Sequence, residues 1–119
     1  MGFPVEIWLR GDNHATTVDI APVTSEPSAW TDGDVAQVLV GMLRALERAR
    51  DPATDPDRPI ALRGFSWIVS PFDGDGVVIA LELSLGAVVA GPFKVAERDL
   101  SAKITRVMSA ERSSATTVH

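Results

Sequence analysis

The stretch SPFDGDGVVIALELSLGAVVAGPF, residues 70–93, decides the fold class of this chain. Beyond its two Asp-Gly pairs, apolar side chains occupy every second position, namely Val77, Ile79, Leu81, Leu83 and Leu85. A period of two places them on one face of a β-strand, with Glu82 on the opposite face. Gly86 indicates a bulge or bend, residues 87–91 continue this strand or start another, and Pro92 ends regular pairing.

The segment Asp73-Gly74-Asp75-Gly76 resembles the start of a calcium-binding loop, in which acids alternate with flexible residues. An EF-hand loop needs a ligand two residues after Asp75 and a glutamate at its twelfth position, where this chain has Val77 and Ser84. No glycine-rich phosphate motif surrounds the segment. Because Asp-Gly pairs favour tight turns, we expect a hairpin turn here, with a weak cation site as the alternative.

Three further segments have the composition of strands. Residues 3–10 alternate between apolar and polar side chains, and residues 15–23 are rich in β-branched side chains. The turn residues at 11–14 join these two segments into an expected hairpin. Residues 60–69 carry apolar side chains on both faces, which predicts a central strand of the sheet.

Two segments have helical periodicity. Residues 31–50 place apolar side chains at the i, i+3, i+4, i+7 spacing of one buried face. Thr31 is the expected N-cap and Asp34 completes a capping-box arrangement, while Gly41 in the middle lets a neighbour approach closely. Residues 95–112 repeat the helical pattern with Leu100, Ile104 and Val107 in the apolar stripe.

The resulting order, β-β-α-β-β-(β)-α, predicts an α+β two-layer sandwich. In this architecture an antiparallel sheet of four or five strands carries two helices on one face. The length of 119 residues fits one domain, which we assign to residues 1–112. The small polar residues 113–119 are expected to form a flexible C-terminal tail.

Charge and composition exclude several classes of partner and chemistry. A net charge of −5 gives no electrostatic footprint for nucleic acid or anionic lipid. The chain has no cysteine, which excludes disulfides and thiolate chemistry. The N-terminus lacks the pattern of a signal peptide, and the apolar tract 77–90 contains Glu82 and is too short to span a bilayer. We therefore expect a cytoplasmic protein that binds neither nucleic acid nor membrane.

The chemistry-bearing side chains form no catalytic pattern. His14 stands in the expected turn beside Asp12 and Asn13, whose side chains point apart, so we expect a solvent-exposed histidine. Glu6, Asp19 and Glu82 lie within expected strands, and Glu82 is predicted to face water or to pair with Arg63. No nucleophile stands beside a base. We assign no catalytic residue, cofactor or metal ligand, and the sequence favours a non-catalytic protein.

The aromatic side chains give the clearest indication of a binding surface. Trp8, Phe65 and Trp67 fall opposite the cleanest apolar sets of their strands. If the helices cover one face of the sheet, these three residues are expected on the other face, as a binding surface. The alternative is that strand register turns them inward as ordinary core.

The sequence therefore predicts a non-catalytic interaction or adaptor protein that forms a homodimer through a sheet face or an edge strand. A protein partner is a further expectation. The alternative is a small-molecule-binding protein or modest enzyme with a groove between the sheet and the helices, in which Glu82, Asp19 or His14 would line the pocket.

Overall fold

The computed structural model describes residues 3–20, 26–55, 57–72 and 76–116 of the chain. Its elements are β1 (Phe3–Leu9), β2 (Thr16–Ile20), a 3-10 turn (Pro27–Ala29), α1 (Asp32–Arg50), β3 (Ser66–Pro71), β4 (Val77–Leu83), β5 (Gly86–Phe93) and α2 (Glu97–Thr116). The α+β class and the order β-β-α-β-β-β-α are confirmed. No helix in the described ranges is long and apolar enough to cross a membrane.

The five strands form one antiparallel sheet in the order β2-β1-β5-β4-β3. Residues 86–93 form a strand of their own, because the chain reverses after Leu83 and pairs back along β4. β5 also pairs with β1, and this contact joins the N-terminal hairpin to the C-terminal strands. The pairing therefore closes the two halves of the chain into one sheet.

Two details of the strand prediction are wrong. β3 begins at Ser66 and lies at an edge of the sheet, not at its centre. Its apolar residues on both faces have different surroundings, because Val69 is buried under the helices while Ile68 is 57% exposed. β5 also continues past Pro92 to Phe93, which pairs with Val77 across a register irregularity.

The helices lie side by side on one face of the sheet, called the inner face below. α1 begins as predicted: Thr31 Oγ1 accepts from the Asp34 N–H at 3.1 Å, and Asp34 Oδ2 accepts from the Thr31 N–H at 3.0 Å. α2 extends to Thr116, beyond the predicted end at residue 112. The Arg106 guanidinium donates two hydrogen bonds to the Asp32 carboxylate, at 2.9 and 3.0 Å, and thereby joins the helices.

Alternate side chains of every strand build the inner face. The side chains that are fully or nearly fully buried there include Val5, Ile7, Ile79, Leu81, Val88 and Ala90. They pack against the apolar faces of the two helices, where Leu39, Met42, Leu100 and Ile104 are fully buried. At one end of this core the Phe93 ring makes edge contacts with the rings of Trp30 and Phe3. The core is therefore a single layer between sheet and helices.

Gly86 occupies a point where the backbones of β1 and β5 approach too closely for a side chain. Its φ is 148°, and an added Cβ would collide with the carbonyl oxygen of Trp8. Gly11 also has a positive φ, 92°, but an added Cβ would have no neighbour within 4 Å. A substitution at Gly11 therefore adds backbone strain alone, whereas one at Gly86 adds backbone strain and a steric collision.

We expect Gly86→Ala to destabilise the protein much more than Gly11→Ala. The second substitution costs about 1–2 kcal/mol for the backbone conformation alone. The first adds a collision that forces β1 and β5 apart, for a total of at least about 3 kcal/mol. Urea unfolding of both variants measures the difference, and equal losses would contradict the close approach at Gly86.

Candidate functional site

The face of the sheet turned away from the helices is covered by no described helix; we call it the outer face. The strand registers place on it Pro4, Glu6 and Trp8 of β1, Ala87 and Val89 of β5, Val78, Ala80 and Glu82 of β4, and Ser66, Ile68 and Ser70 of β3. Of these, Val78, Ala80, Ala87 and Val89 are half-buried by their neighbours. The centre of the outer face is therefore apolar.

The structure does not bring Trp8, Phe65 and Trp67 together, so the prediction that they share one face is wrong. Trp8 lies on the outer face opposite Ala87. Trp67 lies on the inner face because its partner in β4 is the fully buried Leu81, and Phe65 precedes β3. Both are half-buried against the core, which is the alternative that register left open.

Ile68 and Phe72 are the exposed large apolar residues of this part of the chain, where the sequence predicted Trp67 and Phe65. The large apolar side chains that are exposed in the described chain are Trp8 (41%), Ile68 (57%) and Phe72 (45%). Phe72 directly follows β3, four positions after Ile68 and two after Ser70 in the same alternation, and its N–H donates to the Gly76 carbonyl at 2.9 Å. All three residues thus belong to the outer face or its margin.

Trp8 is held in place on this face by a neighbour on its own strand. Its indole N–H donates to Glu6 Oε1 at 2.9 Å, because residues two apart on a strand point the same way. The hydrogen bond satisfies the polar atom of the ring and leaves its apolar surface accessible. Trp8 is therefore an exposed aromatic with a fixed partner.

The acids singled out from the sequence do not converge. Glu6, Asp19 and Glu82 are all exposed, and the β3 residue opposite Glu82 is Ser66, not Arg63. Glu82 therefore faces water, which is the first of the two expectations, and does not pair with Arg63 across the strands. These carboxylates lie on three different strands of the outer face and form no paired site.

The histidine and aspartate turns show no ligand geometry. His14 is exposed in the β1–β2 turn, with its Nδ1 at 3.2 Å from Asn13 Oδ1. Asp73 and Asp75, where a hairpin turn or a weak cation site was expected, lie outside the described residues. Within the described ranges, no group of three or more His, Cys, Asp or Glu side chains could hold a metal ion.

A groove of about 830 Å³ opens on the other side of the sheet, between β2 and α1. It exists because α1 packs over β1 and β5, so that the inner face of the edge strand β2 extends beyond the helix. Its apolar walls come from Val18 and Ile20 of β2 and from Ala36, Val40, Ala45 and Ala49 of α1. Gly41 also lines the groove. The space beside this glycine is therefore open, and the close approach of a neighbour expected there is not found.

The groove carries positive charge at one end. Arg44 and Arg48 stand one turn apart on α1 and both line it. Arg44 donates to the carbonyl oxygen of Arg58 at 3.0 Å, and the Arg58 guanidinium pairs with Glu47 at 2.9 Å. Asp19 also borders the groove, although its pairing with Pro4 places its side chain on the outer face.

The ion pair between Asp32 and Arg106 joins the two helices and lies outside both the outer face and the groove. The hydrogen bonds from the Arg106 guanidinium lower the pKa of the Asp32 carboxyl and raise the pKa of Arg106. The pair is exposed and connects the start of α1 to the middle of α2. We therefore give it no functional role.

Comparison with known proteins finds no match: no family model, no curated protein and no solved structure is significantly similar to this chain. The outer face and the groove are therefore the candidate functional surfaces of the described chain.

We predict that Trp8 is the tryptophan most accessible to the neutral quencher acrylamide, which the carboxylate of Glu6 does not repel. Trp30 is 4% exposed and Trp67 packs against the core, so both are shielded. At low protein concentration, Trp8→Phe should remove the steepest quenching component, whereas Trp67→Phe should leave it. If Trp67→Phe removed this component and Trp8→Phe left it, Trp67 would be the exposed tryptophan and its position on the inner face would be wrong.

Proposed function

We propose that this protein is a non-catalytic interaction protein that self-associates through the outer face of its sheet. The observation that supports the proposal is the exposure of Trp8 and Ile68 on one face that no described helix covers, with Phe72 exposed at its margin. Exposed apolar side chains scattered singly over a surface are ordinary, but a contiguous patch marks an interaction site.

Continuity of the patch follows from the cross-strand pairs. Val89 stands opposite Ala80, and Ala80 stands opposite Ile68, so an apolar row crosses three neighbouring strands. The adjacent row begins with Trp8 beside Ala87. Fully burying a side chain of the size of Ile68 stabilises an interface by about 1.5–3 kcal/mol. In a twofold dimer each such residue contributes twice.

The area of the outer face is sufficient for a specific dimer. Five strands about 4.8 Å apart, each with about six residues at roughly 3.3 Å, form a face of about 24 by 20 Å. Packing two such faces together removes about 1,000 Å² from water in total, which is the lower limit for a specific interface. We therefore expect a dimer of modest affinity.

A second copy fits this face because the two sheets have the same twist. Twisted sheets of equal curvature pack face to face at about 30° with a spacing of about 10 Å. Charge acts against the association, since Glu6 and Glu82 lie on this face in both copies. Like charges across an interface are screened by salt, so the dimer should strengthen as ionic strength rises.

Binding of a small molecule is a second candidate function, and the groove between β2 and α1 is the observation that favours it. The groove and the outer face lie on opposite sides of the sheet and do not compete.

We predict that Ile68→Glu and Trp8→Glu each shift the protein from dimer to monomer. Both positions are more than a third exposed, so folding should be retained while charge enters the patch at one of its two sides, on β3 or on β1. Sedimentation equilibrium over a concentration series, at low and high salt, measures the effect. The matched control is Ala102→Glu, which adds the same charge at an exposed position of α2.

Dissociation by the two sheet variants but not by Ala102→Glu would support the proposal, as would tighter association in high salt. A wild-type monomer at near-millimolar concentration would refute it. So would a dimer that persists in both sheet variants.

A further inference from the structure

The groove between β2 and α1 results from the two ridges of helical residues that face β2. Positions 36, 40, 44 and 48 form one ridge, and positions 37, 41, 45 and 49 form the other. Four of these eight residues are small, namely Ala36, Gly41, Ala45 and Ala49, and beside them the helix leaves a space above Val18 and Ile20. The volume of about 830 Å³ lies within the range of small-molecule sites.

The groove is apolar along most of its length and cationic at the end where α1 finishes. From Val40 to Arg48 the helix rises about 12 Å, at about 1.5 Å per residue. An alkyl chain or a ring system of that length, placed along Val40 and Ala45, would bring its end group to Arg48. The site therefore has two distinct ends.

Charge decides which end group fits. Arg48 is exposed at the groove and forms no ion pair within the described part of the chain. Arg44, one turn earlier, is anchored to the Arg58 carbonyl and adds a second positive charge nearby. In a protein of net charge −5, two guanidinium groups beside an apolar surface attract an anion locally. A guanidinium also binds a carboxylate in bidentate geometry.

From this combination we infer that the groove binds an amphipathic monoanion, a carboxylate carried on an apolar chain or ring. The apolar part lies between Val18, Ile20 and the small residues of α1, and the carboxylate accepts hydrogen bonds from Arg48. This site does not depend on the outer face. It remains available whether or not the protein dimerises there.

The test is a titration of the ¹⁵N-labelled protein with decanoate, followed by amide chemical shifts, in the Ile68→Glu background. That background removes self-association through the outer face, so the two proposals are tested separately. We expect shifts that saturate and are confined to β2 and the second half of α1. Decanol has the chain without the charge and should bind about tenfold more weakly, since a charge-assisted hydrogen bond is lost.

Two variants locate the ligand. Arg48→Gln should weaken decanoate by about tenfold and leave decanol unchanged, because only the charged contact is removed. Ala45→Phe fills the groove and should abolish binding of both. If Ala45→Phe does not fold, the comparison of Arg48→Gln with the parent chain decides the question alone.

Three results would overturn the inference. One is the absence of saturable shifts in the groove at millimolar decanoate. Another is equal binding of decanoate and decanol, or no effect of Arg48→Gln. A third is a concentration dependence of the groove amides without ligand, which would mean that a second copy occupies it.

Discussion

Ile79, Leu81 and Val88 are fully buried beneath two helices that lie on the same face of one sheet, and the other features of the molecule follow from this burial. Because both helices share one face, the opposite face has no cover in the described chain. Because α1 is centred over β1 and β5, the edge strand β2 extends beyond it and a groove remains. One packing choice thus produces two candidate surfaces on opposite sides of the sheet.

Elements whose signals are local were predictable from the sequence. The alternation from Val77 to Leu83 gave β4 with its inner face correct, because one side of that strand is uniformly apolar. The helical spacing together with Thr31 and Asp34 predicted α1 to within one residue, since the capping box marks where the helix begins. The order of these elements predicted an antiparallel sheet of four or five strands, and the described part of the chain has five.

The faces on which the side chains of β3 lie were not predicted, because they depend on the register of its pairing. The face of Trp67 is set by its partner Leu81, and the sequence of β3 alone does not contain that information. A groove between the sheet and the helices was an alternative expectation, but its lining was not predicted, since small residues such as Ala36 and Ala45 line it only because β2 lies at the edge. Register and strand order therefore limit what one sequence reveals.

Intermolecular nuclear Overhauser effects in a mixed sample show whether two copies meet through their outer faces. One half of the chains carries ¹³C and the other half does not, so that only contacts between copies are observed. The account predicts contacts from the methyl groups of Ile68 and Val89 in one copy to the Trp8 ring and outer-face protons of the other. Contacts confined to β2 and α1, or none at near-millimolar concentration, would contradict it.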